Sequence, residues 1–201
     1  MWGDDRPQRR WARLRAYDYA QAGLYAVTIC TQHRSLLFGE IIESEMQLSE
    51  AGRMVFDEWN RLLDRFDHIE LDAFIVMPNH LHGIIVIRES RRDDPCDRPV
   101  PRPPAPIRGG TGYRPAGTDE HTLSRVTQAF KSITTNRYAE GVRQSNWLPF
   151  ERRLWQGSYY DHVIRDDRDL DRIRRYIIEN PIRWMNDREN PMRMDRPNHR
   201  P

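Results

Sequence analysis

The sequence predicts an α+β domain built on an antiparallel sheet with helices packed on one face. Three observations predict it: short β-branched and aromatic runs that read as strands, apolar residues at helical spacing between them, and an order of elements without regular strand–helix alternation. At 201 residues, 38% of them hydrophobic and 31% charged, the chain has the size and composition of one soluble domain.

Residues 24–31 (LYAVTICT) form the first expected strand, and residues 36–42 continue into a second strand or hairpin. Ser49 caps a helix whose apolar positions Met54, Val55, Trp59, Leu62, Leu63 and Phe66 share one face. Residues 68–77 and 80–87 are strands separated by Pro78-Asn79, which makes a hairpin the simplest reading. A second helix spans 122–138, with Leu123, Val126, Phe130, Ile133 and Thr134 on one side. Residues 153–156 (RLWQ) read as a short strand, and Asp166 opens a last helix carrying Leu170, Ile173 and Ile177. Around this core stand a basic arm (1–20), an insert at 89–117 with seven of the 14 prolines, and a tail (187–201). The insert is expected to be disordered or extended, because such a composition cannot bury a core.

Composition removes several classes of function. Cys30 and Cys96 belong to no paired spacing, which excludes zinc fingers and disulfide scaffolds. No run approaches the roughly 20 apolar residues of a membrane helix, and the N-terminal stretch has no signal-peptide core; a cytoplasmic protein with no membrane partner is expected. A zinc nucleobase deaminase is disfavoured because neither His-x-Glu nor Pro-Cys-x-x-Cys occurs. The net charge of +2 says little, but of the 32 basic residues only Lys131 is lysine. Arginine suits bidentate phosphate contact, although genomic base composition explains the bias as well. Arg6, Arg9, Arg10, Arg13 and Arg15 interleave with Trp11 and Tyr17, either as a nucleic-acid grip or as a solvated arm.

Two constellations carry chemistry. His80 and His82 stand at i and i+2 of a strand, so both imidazoles project from one face while Leu81 enters the core on the other. Such a pair suits a shared metal ion or a polar, solvent-facing strand. Tyr176 and Asn180 lie one turn apart on the last helix, beside its apolar stripe. As structural residues they would be a boundary aromatic and a cap before Pro181.

Met77-Pro78-Asn79-His80-Leu81-His82 resembles the histidine-hydrophobe-histidine (HUH) motif of the single-tyrosine transposases of bacterial insertion sequences, and Tyr176 with Asn180-Pro181 resembles their nucleophile helix. Trp155-Gln156 and the stretch Tyr160-Asp161-His162-Val163-Ile164-Arg165 resemble the REP-associated tyrosine transposase branch. With Tyr25-Ala26-Val27-Thr28 and Phe130-Lys131-Ser132, the resemblance covers about residues 20 to 186, and the proline-rich insert departs from it.

The resemblance implies a ferredoxin-like fold of the HUH-nuclease type over residues 21–186. It also implies a divalent ion, Mg2+ or Mn2+, held by His80, His82 and, as third, amide-bearing ligand, Asn180; imidazole suits manganese better than magnesium. Tyr176 takes the nucleophile's place, giving a 5′-phosphotyrosine link and strand transfer on single-stranded or hairpin DNA, by a monomer or a homodimer. His162, Lys131, Arg9, Arg10 and Arg13 are candidates for DNA contact or an accessory role. The proton acceptor for Tyr176 stays open between metal-bound water and His162, and Tyr159 and Tyr160 are rival nucleophiles. Two alternatives remain: a catalytically silent, sequence-specific DNA-binding regulator, and a sheet-based RNA-binding protein.

Overall fold

The computed structural model describes residues 21–88 and 122–193; the basic arm with Arg9, Arg10 and Arg13, the proline-rich insert and residues 194–201 lie outside them. Strand β1 (Gly23–Cys30) buries Tyr25, Val27 and Ile29 on one face. The region 36–42 resolves into a small two-stranded ribbon, β2 (Gly39–Ile42) and β3 (Glu45–Leu48). Helix α1 (Glu50–Asn60) starts where its cap demands, with the Ser49 hydroxyl accepting from the Gly52 amide at 3.1 Å. Strands β4 (Ile69–Met77) and β5 (His80–Ile87) pair across Pro78-Asn79. Helix α2 (Leu123–Gln144), capped by Thr122, strand β6 (Tyr160–Ile164) and helix α3 (Asp167–Ile178), capped by Asp166, follow. The short helix α4 (Asn180–Arg183) then runs into a 3-10 turn at Trp184–Asn186.

The four longer pairing strands lie in the order β4-β5-β1-β6, every pair antiparallel. The unit β1-α1-β4-β5-α2-β6 in that spatial order is the ferredoxin-like split βαβ arrangement. The expected α+β class with an antiparallel sheet is therefore what the chain adopts.

Two expectations need correction. Residues 153–156 contribute only an isolated bridge, Trp155 to Thr31, and the edge strand is β6. Leu154 and Trp155 are apolar because they plug the core from a loop, at 1% and 4% exposure, while β6 carries the polar residues an edge strand tolerates. The helices also do not all share one face. Helices α1 and α2 cover the side of Tyr25, Leu81 and Ile85, whereas Ile173 and Ile177 of α3 pack on Ile84 and Ile164 across the sheet. Strand β5 is apolar at both parities of its C-terminal half, so both of its sides require cover.

The α1/α2 face is aromatic. The Trp59 ring stacks on Phe74 at 5.8 Å and meets Phe130 edge-on at 5.3 Å. It lies directly over Gly83, where any Cβ would collide with its ring. Buried Glu58 on α1 accepts from Arg61 (2.8 Å) and from Arg137 of α2 (2.9 Å), tying the two helices together.

Candidate active site

Register positions the histidines. In β5, His80 pairs with Cys30 and His82 with Thr28 of β1, so both imidazoles stand on the face that α3 covers. Their Nε2 atoms are 3.0 Å apart and the rings are nearly perpendicular, at 75°. Each outer nitrogen is engaged: His80 Nδ1 with Asn79 Oδ1 at 2.8 Å, and His82 Nδ1 with Thr28 Oγ1 at 2.7 Å. Both rings are buried, at 0% and 6% exposure.

Helix α3 brings the tyrosine to this pair within one chain. The Tyr176 hydroxyl is 3.5 Å from His82 Nε2 and the two rings meet edge-on at 5.1 Å. One turn on, Asn180 is fully buried, and neither amide atom has a hydrogen-bond partner among the described residues. One turn further, Trp184 lies 6.0 Å from the His80 ring. Asn180 thus stands in sequence between Tyr176, which contacts His82, and Trp184, which contacts His80.

This donor set fits a divalent cation. The Nε2 atoms of His80 and His82, 3.0 Å apart on one face of the sheet, could both serve as imidazole ligands of one ion. A carboxamide buried without partners costs about 1–3 kcal/mol per unsatisfied group unless something fills its valence. Outer-nitrogen hydrogen bonds of the kind made here orient metal-binding imidazoles. Among the described residues no group of three or more His, Cys, Asp or Glu side chains could hold a metal; the set here is two imidazoles and an amide.

Helix α3 is held to the sheet at two levels. Arg174 donates through Nε and Nη2 to the two carboxylate oxygens of Asp72 in β4, at 2.8 and 2.6 Å. That hydrogen bonding holds the Asp72 carboxyl below its ordinary range. In the first turns, His162 Nε2 and Asp169 Oδ2 are 2.6 Å apart, and Arg172 also donates to Asp169. Asp169 lies seven residues, about 10 Å along the helix, before Tyr176, so His162 pins the helix rather than facing the phenol.

Lys131 donates to the carbonyls of Gln156 (2.9 Å) and Ser158 (3.1 Å), and burial lowers its amine to about 8. It organises the loop that leads to β6. Of the rival tyrosines, Tyr159 packs into the α1/α2 core, away from the histidines. Tyr160 pairs with Thr28 one strand further from β5, so its backbone lies about 10 Å from that of His82 at ordinary strand spacing.

Sequence patterns missed four neighbours of the site: Thr28, Asn79, Trp184 and Glu189. Within the expected tail (187–201), beyond the stretch that the resemblance covers, Glu189 and Asn190 are buried, and Glu189 pairs with Arg34 at 2.9 Å. Trp184, an aromatic one turn beyond Asn180, was the signal available in the pattern.

With this geometry, the fold is that of the REP-associated tyrosine transposases, the class whose motifs the sequence resembles. The solved structure of such a transposase bound to a REP hairpin matches with a TM-score of 0.52 at 17% identity, over 84% of this chain and 72% of that one. A Deinococcus radiodurans protein described as a candidate transposase matches at 19% identity, over 83% and 95% of the two chains, with a TM-score of 0.41, too low to carry an argument. No family model matches. The chain belongs to the same family as a Haemophilus influenzae protein described as uncharacterized, with which it is 36% identical over 179 residues, 89% of this chain and 91% of that protein.

Proposed function

We propose that this protein is a transposase-type single-strand DNA endonuclease and strand transferase, with Tyr176 as nucleophile and His80, His82 and Asn180 as holders of Mg2+ or Mn2+. The observation that carries the reading is the meeting, inside one chain, of the Tyr176 hydroxyl with a histidine pair whose Nε2 atoms are 3.0 Å apart; one turn on along the same segment, Asn180 is buried with no hydrogen-bond partner among the described residues. The partner is single-stranded or hairpin DNA, in keeping with the REP hairpin bound by the transposase of like fold.

Held by His80, His82 and Asn180, a divalent ion would supply positive charge that offsets the charge of the scissile phosphate. Tyr176 does the covalent work. Its hydroxyl oxygen bonds to phosphorus as the bond from phosphorus to the 3′-oxygen breaks. The phenol gives up a proton and the leaving 3′-oxygen takes one up, so the step needs no net acid or base. The product is a 5′-phosphotyrosine and a free 3′-hydroxyl, and because the ester bond is conserved, a second 3′-hydroxyl can reverse the step and join strands without ATP. Helix α3, pinned to β4 through Arg174 and Asp72, keeps the hydroxyl beside the histidines while its exposed side admits a strand.

Incubation with a hairpin-bearing single-stranded oligonucleotide and Mn2+ should yield a protein–DNA adduct on a denaturing gel. Tyr176→Phe and EDTA should each abolish it while leaving hairpin binding in place. An adduct that persists in Tyr176→Phe would sink the assignment.

A further inference from the structure

The turn between β4 and β5 does more than reverse the chain. Asn79 is wholly buried, and its carboxamide is engaged at both ends. Nδ2 donates to the carbonyl oxygens of Arg34 (3.0 Å) and Glu189 (2.6 Å), while Oδ1 meets His80 Nδ1 at 2.8 Å. A carbonyl oxygen only accepts, so the two backbone carbonyls determine which end of Asn79 is the NH2 group. The other end can only accept, and the hydrogen between Asn79 and His80 must sit on Nδ1. In a neutral imidazole this makes Nε2 the lone-pair nitrogen, and Nε2 is the atom that faces His82.

The two carbonyls come from places that local pattern does not explain. Arg34 has left-handed backbone, φ 57°, directly after His33 with the same φ, a conformation that branched-out side chains resist and that concentrates at functional sites. Glu189 comes from the segment beyond the last 3-10 turn, and its buried carboxylate is ion-paired with Arg34 itself.

We propose, building on the reading of His80 as a cation ligand, that Asn79 is a positioning residue. Seated on the carbonyls of Arg34 and Glu189, it holds His80 in the Nδ1–H tautomer with the Nε2 lone pair directed to the ion. Residues 187–190 are thereby part of the site.

Nitrogen-15 NMR of His80 in the metal-free, full-length protein, at a pH where the ring is neutral, distinguishes the tautomers. The wild type should show the Nδ1–H form, and finding the proton on Nε2 overturns the proposal outright. Asn79→Ala, which removes the acceptor, should lose the preference and bind Mn2+ about ten- to a hundred-fold more weakly in calorimetry. Asn79→Asp, which keeps an acceptor for Nδ1–H and gives up both donated bonds, should retain the tautomer at reduced stability. A folded Asn79→Ala protein that keeps the Nδ1–H form overturns the proposal; should that variant not fold, loss of the form in Asn79→Asp does so. Failure of the wild type to bind Mn2+ would remove the cation reading and leave the tautomer result standing, so the two claims fail separately.

Discussion

The two faces of the sheet are built to different ends. On the α1/α2 side, Trp59, Phe38, Phe130 and Tyr138 are almost completely buried among aliphatic strand residues, and each such aromatic removes about 150–250 Å² from water. On the α3 side, among the described residues, only Ile84, Ile164, Ile173 and Ile177 form a buried apolar cluster. Around them pack half-buried Leu24, Ala26, Ala73, Ile75 and Leu170, but this side also buries polar His80, His82, Asn79 and Asn180, and the Arg174–Asp72 pair and the His162–Asp169 hydrogen bond pin the helix. Apolar burial stabilises roughly in proportion to area, so one face supplies most of the stability. The other can then tolerate the buried Asn180 carboxamide, which has no hydrogen-bond partner among the described residues and is unfavourable for folding until something satisfies it; in the proposed function a cation does so.

The contrast can be broken from either side. Trp59→Ala should cost about 3–5 kcal/mol, measured by urea denaturation, without moving Tyr176 or the histidines; a loss below about 1 kcal/mol would mean that the faces share the load. Asn180→Leu should act in the opposite sense. In metal-free protein, removal of the unsatisfied amide should leave stability unchanged or raise it by about 1 kcal/mol, while the thermal stabilisation of the wild type by Mn2+ disappears. A large loss of stability in the metal-free variant would make Asn180 a structural cap instead.

Two pH-dependent effects sharpen the comparison. Asp72→Asn unties α3 from β4, and because the pair is partly exposed the cost should stay below about 1 kcal/mol. Hydrogen bonding from Arg174 lowers the Asp72 carboxyl in the folded state, so its contribution is complete above the ordinary carboxylate pKa and fades as pH falls through the lowered value. Urea midpoints of wild type and Asp72→Asn should therefore differ at pH 7 and converge in strong acid, and phosphotyrosine formation should slow in the variant at neutral pH. A further effect, visible only in alkaline solution, concerns Lys131. Burial brings its amine from 10.5 down to about 8, so between those values the unfolded chain binds the proton more strongly and stability rises with pH. Lys131→Met should lack that rise in paired denaturation curves, and a rise of equal size in the variant would assign it to other groups.

Much of the α1/α2 side was legible in sequence, because strand alternation and helix periodicity are local consequences of backbone geometry. The caps Ser49, Thr122 and Asp166 stand where their residue types predict. The helix on the second face was misjudged although β5 carried the signal, since apolar residues at both parities mean cover on both sides. The edge strand was misjudged because Leu154 and Trp155 are more apolar than β6, and a core plug in a loop has the composition of a strand.

Of the site, His80 with His82 and Tyr176 with Asn180 were readable as pairs, since residues i, i+2 on a strand and i, i+4 on a helix share a face whatever the fold. Their meeting was not readable, nor was the enclosure of His80 and His82 by Asn79, Glu189 and Thr28. Glu189 is 110 residues from Asn79 and Thr28 is 54 from His82. Local spacing determines which side chains point together. Which pairs then approach across the molecule depends on sheet register and on which face each helix covers, and those follow from the packing of the whole chain.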